Sequence, residues 1–128
     1  MIGLRALLIS FSLIAASLVV AQEPSALTCT DDITSVVDQV GKDVVFCGTP
    51  SRVKTITKEE ASRVYLDFGG AYPNSTFSVV IWGSISGTEH ALLEERFTGK
   101  ELLVKGTVKL YKDKPQIVIQ RMEDIQVK

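Results

Sequence analysis

Apolar and polar residues alternate with a period of two along most of the chain beyond residue 42, which predicts β-strands with one buried and one outward face. Gly48 and Gly106 lie inside two of these runs, where the absence of a Cβ allows a long strand to bend. The pattern therefore predicts a mostly β fold with five strands, which lie within residues 43–56, 62–70, 76–83, 101–111 and 115–120.

Two other segments have apolar residues at helical spacing. The first is an amphipathic helix from Ile33 to Val40, with Thr30 or Asp31 as its N-cap and Gly41 as its end. The second covers residues 88–97 and separates the third strand from the fourth. Three strands, a helix and two strands are the order of a five-stranded OB-fold barrel, so we expect such a barrel with an additional N-terminal helix.

The first 21 residues have the composition of a secretory signal peptide. They carry one charge, Arg5, followed by an apolar run of about 16 residues that ends in small residues. A retained anchor is the alternative, because the run is close to the lower limit of a membrane span. No cysteine follows the run directly, which disfavours a lipid anchor. We expect cleavage, export to the periplasm or medium, and this organisation: signal peptide 1–21, flexible leader 22–30, and one domain, 31–128.

Cleavage leaves 107 of the 128 residues, which is the size of one small domain. It removes one of the 14 basic residues and none of the 15 acidic ones, so the net charge becomes about −2 with His90 neutral. The molecule as a whole is therefore not a basic nucleic-acid binder, and any site for an anion must be local.

Cys29 and Cys47 are the only cysteines. An even count in an exported chain predicts one disulfide, since such a chain meets oxidising conditions. Two buried thiols and two ligands of a metal site are the alternatives. The metal site is disfavoured, because one histidine and no CxxC pair supply too few ligands for zinc.

Three stretches together resemble a known family: "VGKDVVFCGTPSRV", "YLDFGGAYPNSTFSVVIWG" and "GKELLVKGTVKLYKDKPQIVI". They are similar to small exported bacterial proteins with an OB-fold nucleic-acid-binding domain of the anticodon-binding type, over about residues 40–119. The resemblance implies an extracytoplasmic OB barrel and a nucleic-acid ligand. It also implies a cysteine in the fourth strand opposite the one in the first. This chain has Leu103 there, which leaves Cys29 as the substitute partner of Cys47.

OB barrels bind ligands across their second and third strands, between the loops that join strands one to two and four to five. Both loops have basic residues nearby, and aromatic residues lie on or beside the same strands. Cations that follow phosphates and rings that stack on bases are the two requirements for binding a single strand. The predicted ligand-binding residues are Arg52, Lys54, Tyr65, Trp82, Lys109, Tyr111 and Lys112.

The alternative interpretation is that the lysines are solvated loop residues and that Trp82 packs beneath the first helix. Catalysis has little support, because Asp67 is the only acid expected on the outer face of the second strand and His90 has no nucleophile pattern beside it. We expect a monomeric, non-enzymatic module without metal or cofactor that binds single-stranded nucleic acid or another polyanion. The competing hypothesis is a structural or adaptor domain of the cell envelope that contacts protein or glycan.

Overall fold

The structure is a computed structural model that describes Gly3, residues 28–70 and residues 72–128. Apart from Gly3, the predicted signal peptide lies outside the described residues, and so do residues 22–27 of the predicted leader. The fold is mostly β, as predicted. Its strands are β1 Asp43–Gly48, β2 Arg52–Lys58, β3 Ala61–Phe68, β4 Phe77–Trp82, β5 Leu102–Tyr111, β6 Lys114–Val118 and β7 Ile125–Val127.

The seven strands form one sheet in the order β1-β5-β6-β4-β3-β2, and β7 also pairs with β5. All pairs are antiparallel except β4 with β6. The sheet is not closed, and it has seven strands rather than the predicted five. One reason is that the first predicted run divides at residues 49–51, where Pro50 has no N–H for a ladder. The other is β7, which is three residues long.

The helices are shorter than predicted: α1 Ile33–Val37, α2 Gly83–Ser86 and α3 Leu93–Phe97, with 3₁₀ segments at Gly87–Leu92 and Met122–Asp124. Asp32, rather than Thr30 or Asp31, caps α1, because its Oδ1 accepts a hydrogen bond from the Thr34 amide at 3.0 Å. The helix ends before Val40 because the chain turns to join the sheet. Gly41 has φ +86° and donates its N–H to the Val108 carbonyl at 2.7 Å.

The inner face of the sheet is packed around three phenylalanine rings. Phe46 lies edge-on to Phe68 and Phe77, with ring centroids 5.0 Å apart in both pairs. Phe68 and Phe77 are stacked at 4.9 Å. Leu93 and Phe97 of α3 are buried in the same core and cover one part of it. The alternation read from the sequence therefore identifies the inner face correctly.

A disulfide joins Cys29 to Cys47, whose Cα atoms are 5.6 Å apart. The predicted pairing is confirmed, and neither the free-thiol nor the metal-ligand alternative applies. Thr30 continues the attachment, because its N–H donates to Val45 and its carbonyl accepts from Cys47, both at 2.9 Å. The end of the predicted leader is thus held against β1. In residues 28–70 and 72–128, no helix is long and apolar enough to cross a bilayer.

Candidate functional site

The register of the strands places polar side chains in rows on the outer face of the sheet. Residues paired directly across neighbouring strands point to the same side, so each row crosses the sheet at a right angle to the strands. The first row is Arg52, Asp67, Ser78, Gln116 and Lys109, on β2, β3, β4, β6 and β5. The second row is Lys54, Tyr65, Val80 and Val118, and the third is Ile56, Arg63 and Trp82.

A groove of about 520 Å³ lies on this face, and Asp67, Ser78 and Gln116 of the first row are among its lining residues. We call it the tyrosine groove, because Tyr65, Tyr72 and Tyr111 line it. Four cationic side chains and one carboxylate also line it, which leaves three positive charges in excess: Arg52, Arg63, Lys112 and Lys114 against Asp67. A molecule that is acidic overall thus has a locally basic site.

The single carboxylate of the tyrosine groove is already bonded within the protein. Asp67 is buried, and it accepts hydrogen bonds from the Ser78 hydroxyl at 3.0 Å and from the Tyr72 amide at 3.3 Å. Its Oδ2 also lies 3.7 Å from Nε of Arg52. That Nε is buried without a hydrogen-bond partner among the described residues. Asp67 therefore organises the floor and holds the Arg52 side chain in place.

Tyr72 forms one wall of the tyrosine groove and is flanked by two cations. Cζ of Arg52 lies 5.7 Å from the ring centroid, and Nζ of Lys114 lies 5.9 Å from it. Lys114 also donates a hydrogen bond to the Pro73 carbonyl at 2.7 Å, and Ser51 Oγ accepts one from Gly70 at 3.1 Å. These contacts fasten the turn after β3 to the sheet, so the exposed Tyr72 ring is held above it.

Trp82, at the end of β4, lies beside the tyrosine groove but does not line it. Cζ of Arg63 is 4.9 Å from the centroid of the indole and 5.7 Å from that of the Tyr65 ring. Trp82 lines a second recess of about 440 Å³, which also contains Glu60 and His90. A cation of the protein itself therefore covers part of the ring that the sequence predicts as a stacking surface.

The two hairpins at the edges of this face have different charges. Glu59 and Glu60 form the β2–β3 turn, and Lys112 and Asp113 form the β5–β6 turn. All four residues have positive φ, between 49° and 66°. The tip of the first hairpin is acidic, and it borders the second recess through Glu60. Of the two turns, only the β5–β6 turn brings a lysine to the tyrosine groove.

The tyrosine groove brings together four of the seven predicted ligand-binding residues: Arg52, Tyr65, Tyr111 and Lys112. Lys54 and Lys109 are exposed on the same face but do not line it. The sequence disfavours Asp67 as a metal ligand and gives no signal that singles out Ser78 or Gln116. The first row is complete only because β4 pairs in parallel with β6. The alternation within each strand does not indicate which strands are neighbours.

A third group of side chains connects α3 to the edge of the sheet. The Thr55 amide of β2 donates to Oε2 of Glu94 at 3.1 Å. This hydrogen bond is the main cause that lowers the pKa of Glu94 from its ordinary 4.5, and a hydrogen bond from the Thr55 hydroxyl lowers it further. The positive charges of Lys54 and Arg52 also lower the pKa, whereas desolvation of the carboxylate raises it. The ionised form of Glu94 is therefore favoured, and it satisfies one backbone N–H on the outer edge of β2.

Ser86 lies beside His90, a contact that the sequence does not predict. Ser86 Oγ and His90 Nδ1 are 2.5 Å apart, and both residues are buried. His90 Nε2 has no hydrogen-bond partner among the described residues, so no third group orients the ring from that side.

The tyrosine groove thus combines fixed tyrosine rings, an excess of cations and a polar floor on one face of the sheet. The part of the chain that the structure describes contains no cluster of three or more His, Cys, Asp or Glu residues able to hold a metal ion. No protein-family model and no curated protein sequence matches the chain.

Proposed function

We propose that this protein is an exported, non-enzymatic OB-fold module that binds single-stranded nucleic acid, or another polyanion, in the tyrosine groove. The observation that carries the proposal is the composition of that groove: three tyrosines and four cations, with its one carboxylate bonded within the protein. Aromatic rings stack on bases of any sequence, while cations neutralise the phosphates between them. A groove with both properties suits a flexible, negatively charged strand.

The topology supports the OB-fold assignment. β1 and β2, at the two ends of the sheet order, are consecutive in the chain and are separated only by residues 49–51. Taken as one bent strand, they give three strands, a helical segment and two strands, which is the order of the OB barrel. In that assignment β3 and β4 are the ligand-binding strands, and residues of both line the tyrosine groove.

Export is supported by the predicted signal peptide together with the disulfide. A Cys29–Cys47 bond is compatible with an oxidising, extracytoplasmic compartment. In such a compartment the ligand would be extracellular or periplasmic nucleic acid, or an acidic polymer of the envelope. We propose that the mature domain acts as a monomer and needs neither a metal nor a cofactor.

A salt titration tests the proposed function. The binding of a fluorescein-labelled dT octamer to the mature protein is followed by anisotropy between low and moderate salt. Affinity should fall steeply, because each phosphate that is neutralised releases counterions, with a slope of about 0.7 per contact for single strands. Lys112→Ala and Lys114→Ala should each reduce the slope by about that amount. Lys100→Ala is the matched control, because Lys100 is exposed and does not line the tyrosine groove.

The outcome against the proposal is equally specific. If no oligonucleotide binds at low salt, where electrostatic attraction is strongest, the nucleic-acid function is rejected. An envelope adaptor would then be the better hypothesis. Leu110 and Tyr111, which are neighbouring and more than half exposed, would be the first residues to test for a protein contact.

A further inference from the structure

Arg63 is the arginine of the tyrosine groove whose charge is not compensated within the protein. Arg52 is paired with the carboxylate of Asp67, and Lys114 donates to a backbone carbonyl. Arg63 and Lys112, by contrast, take part in none of the salt bridges and none of the side-chain hydrogen bonds among the described residues. The guanidinium of Arg63 therefore keeps both its charge and its N–H donors for a ligand.

Two aromatic rings restrict the position of this guanidinium. Its Cζ lies 4.9 Å from the centroid of Trp82 and 5.7 Å from that of Tyr65, and both distances are within the range of a cation–π contact. Trp82 is the direct partner of Arg63 across β4, and Tyr65 follows two residues later on the same face of β3. A carboxylate would hold the guanidinium and neutralise it, whereas a ring holds it and leaves its charge in place. Arg63 is thus ordered before a ligand arrives, which reduces the entropy lost on binding.

We infer that Arg63 binds one phosphate of the ligand through two hydrogen bonds and that Trp82 positions Arg63 for this contact. A guanidinium presents its N–H donors as a rigid planar fork, which matches two oxygens of a phosphate group. The ammonium of Lys112 or Lys114 has the same charge but acts as a point charge on a flexible stem. The lysines therefore attract the strand, while Arg63 fixes one phosphate at a defined place in the groove. This inference rests on the proposed function, because it assigns a phosphate contact to the same groove.

The first test separates the fork from the charge. At fixed salt, Arg63→Lys should bind the labelled dT octamer about tenfold more weakly than the wild type, which is the order of effect of one lost charge-assisted hydrogen bond. Its salt slope should be unchanged, because the charge is retained. Arg63→Ala should bind more weakly still, and its slope should fall by about 0.7. Arg121→Lys is the matched control, since Arg121 is exposed and does not line the groove.

The second test determines whether Trp82 acts through Arg63. Trp82→Ala should weaken binding of the octamer and leave the salt slope unchanged, because the cation is still present but is less well placed. In the Arg63→Ala background the same substitution should have no further effect, since no guanidinium remains to be positioned. A base stacked directly on the indole would instead make the two losses additive. Thermal melts establish that each variant is folded at the temperature of the titration.

The inference and the proposed function fail in different ways. If Arg63→Lys binds as tightly as the wild type, the fork is not used, and the inference is overturned. A full salt slope in Arg63→Ala also overturns it, because Arg63 then contacts no phosphate, and additive losses overturn the positioning role of Trp82. In each of these cases the wild type still binds the octamer, and the proposed function stands. If the wild type does not bind the octamer at low salt, the proposed function itself is rejected.

Discussion

Arg63 covers Trp82: the guanidinium carbon lies 4.9 Å from the centroid of the indole, while the same side chain lies 5.7 Å from the centre of Tyr65. The two residues are direct partners across β3 and β4, so the contact follows from the register. The only tryptophan of the chain is therefore a support for an arginine of the tyrosine groove, which Arg63 lines and Trp82 does not.

This relationship distinguishes Tyr65 from Trp82, two of the aromatic residues that the sequence predicts to bind the ligand. Tyr65→Ala should weaken binding of the dT octamer by about 1–3 kcal/mol, the usual contribution of one stacked base. Trp82→Ala should weaken binding less than Tyr65→Ala, because the indole supports Arg63 but does not itself line the tyrosine groove. Anisotropy titration at one salt concentration measures both. A loss in Trp82→Ala as large as in Tyr65→Ala would place the ligand on the Trp82 side of the sheet.

The disulfide should stabilise the folded protein mainly because it restricts the conformations of the unfolded chain. For a separation of 18 residues the chain-entropy model gives about 3 kcal/mol. We expect the double variant Cys29→Ser, Cys47→Ser to melt at a lower temperature than the oxidised protein. A reducing agent should lower the Tm of the wild type and leave that of the variant unchanged. Two titratable thiols in the native, unreduced protein would contradict the bond.

Val80 should be as intolerant of charge as its neighbour Val79. Alternation with Val79 puts Val80 on the outer face of β4, but Val80 is only 2% exposed and is paired with Tyr65 and Val118. Burial of an unpaired carboxylate is strongly unfavourable, so both Val79→Asp and Val80→Asp should unfold the domain. Ile56→Asp, on the same outer face but partly exposed, should remain folded. Circular dichroism and thermal melts distinguish these outcomes, and a folded Val80→Asp would contradict this packing.

Glu94 should make the stability of the domain dependent on acidity. Its pKa is lower in the folded protein than the ordinary 4.5, chiefly because the Thr55 amide bonds the carboxylate. When the pKa of a carboxyl group is lower in the folded protein than in the unfolded chain, its ionised form stabilises the fold. This stabilisation is complete at a pH above the unfolded-state pKa, and it is lost as the pH falls through the folded-state pKa. Glu94→Gln should therefore lower the Tm more at pH 7 than at pH 3. Glu95→Gln, an exposed neighbour without a hydrogen bond to β2, is the control. Equal losses at both pH values would exclude an ionic contribution.

The sequence predicts the strands well because their signal is local. Each of the five predicted runs overlaps at least one strand, and the inner-face residues Phe77, Val79 and Ile81 are all buried. It predicts β7 and the end of α1 poorly. A strand of three residues is too short to show a period, and α1 stops because Gly41 bonds to Val108, 67 residues later in the chain.

The same distinction between local and distant information applies to the site. The sequence predicts four residues of the groove, because the residue types of a single strand or loop can be read from consecutive positions. They are Arg52, Tyr65, Tyr111 and Lys112. The polar floor depends on which strands are neighbours, and Gln116 reaches Ser78 only through the parallel pairing of β4 with β6. The contact of Arg63 with Trp82 cannot be predicted for a related reason: the covering cation comes from another strand.

The two hairpin turns have a consequence for the stability of the fold. Two-residue turns with both residues at positive φ are best formed by Asn-Gly or Asp-Gly, whereas this chain uses Glu59-Glu60 and Lys112-Asp113. Side chains with a Cβ are less favourable in the left-handed region, so each turn leaves the fold less stable than it could be. A chain under selection for stability alone would acquire glycine at these positions. Glycine would, however, remove a side chain from a rim: that of Lys112 from the tyrosine groove, or that of Glu60 from the second recess.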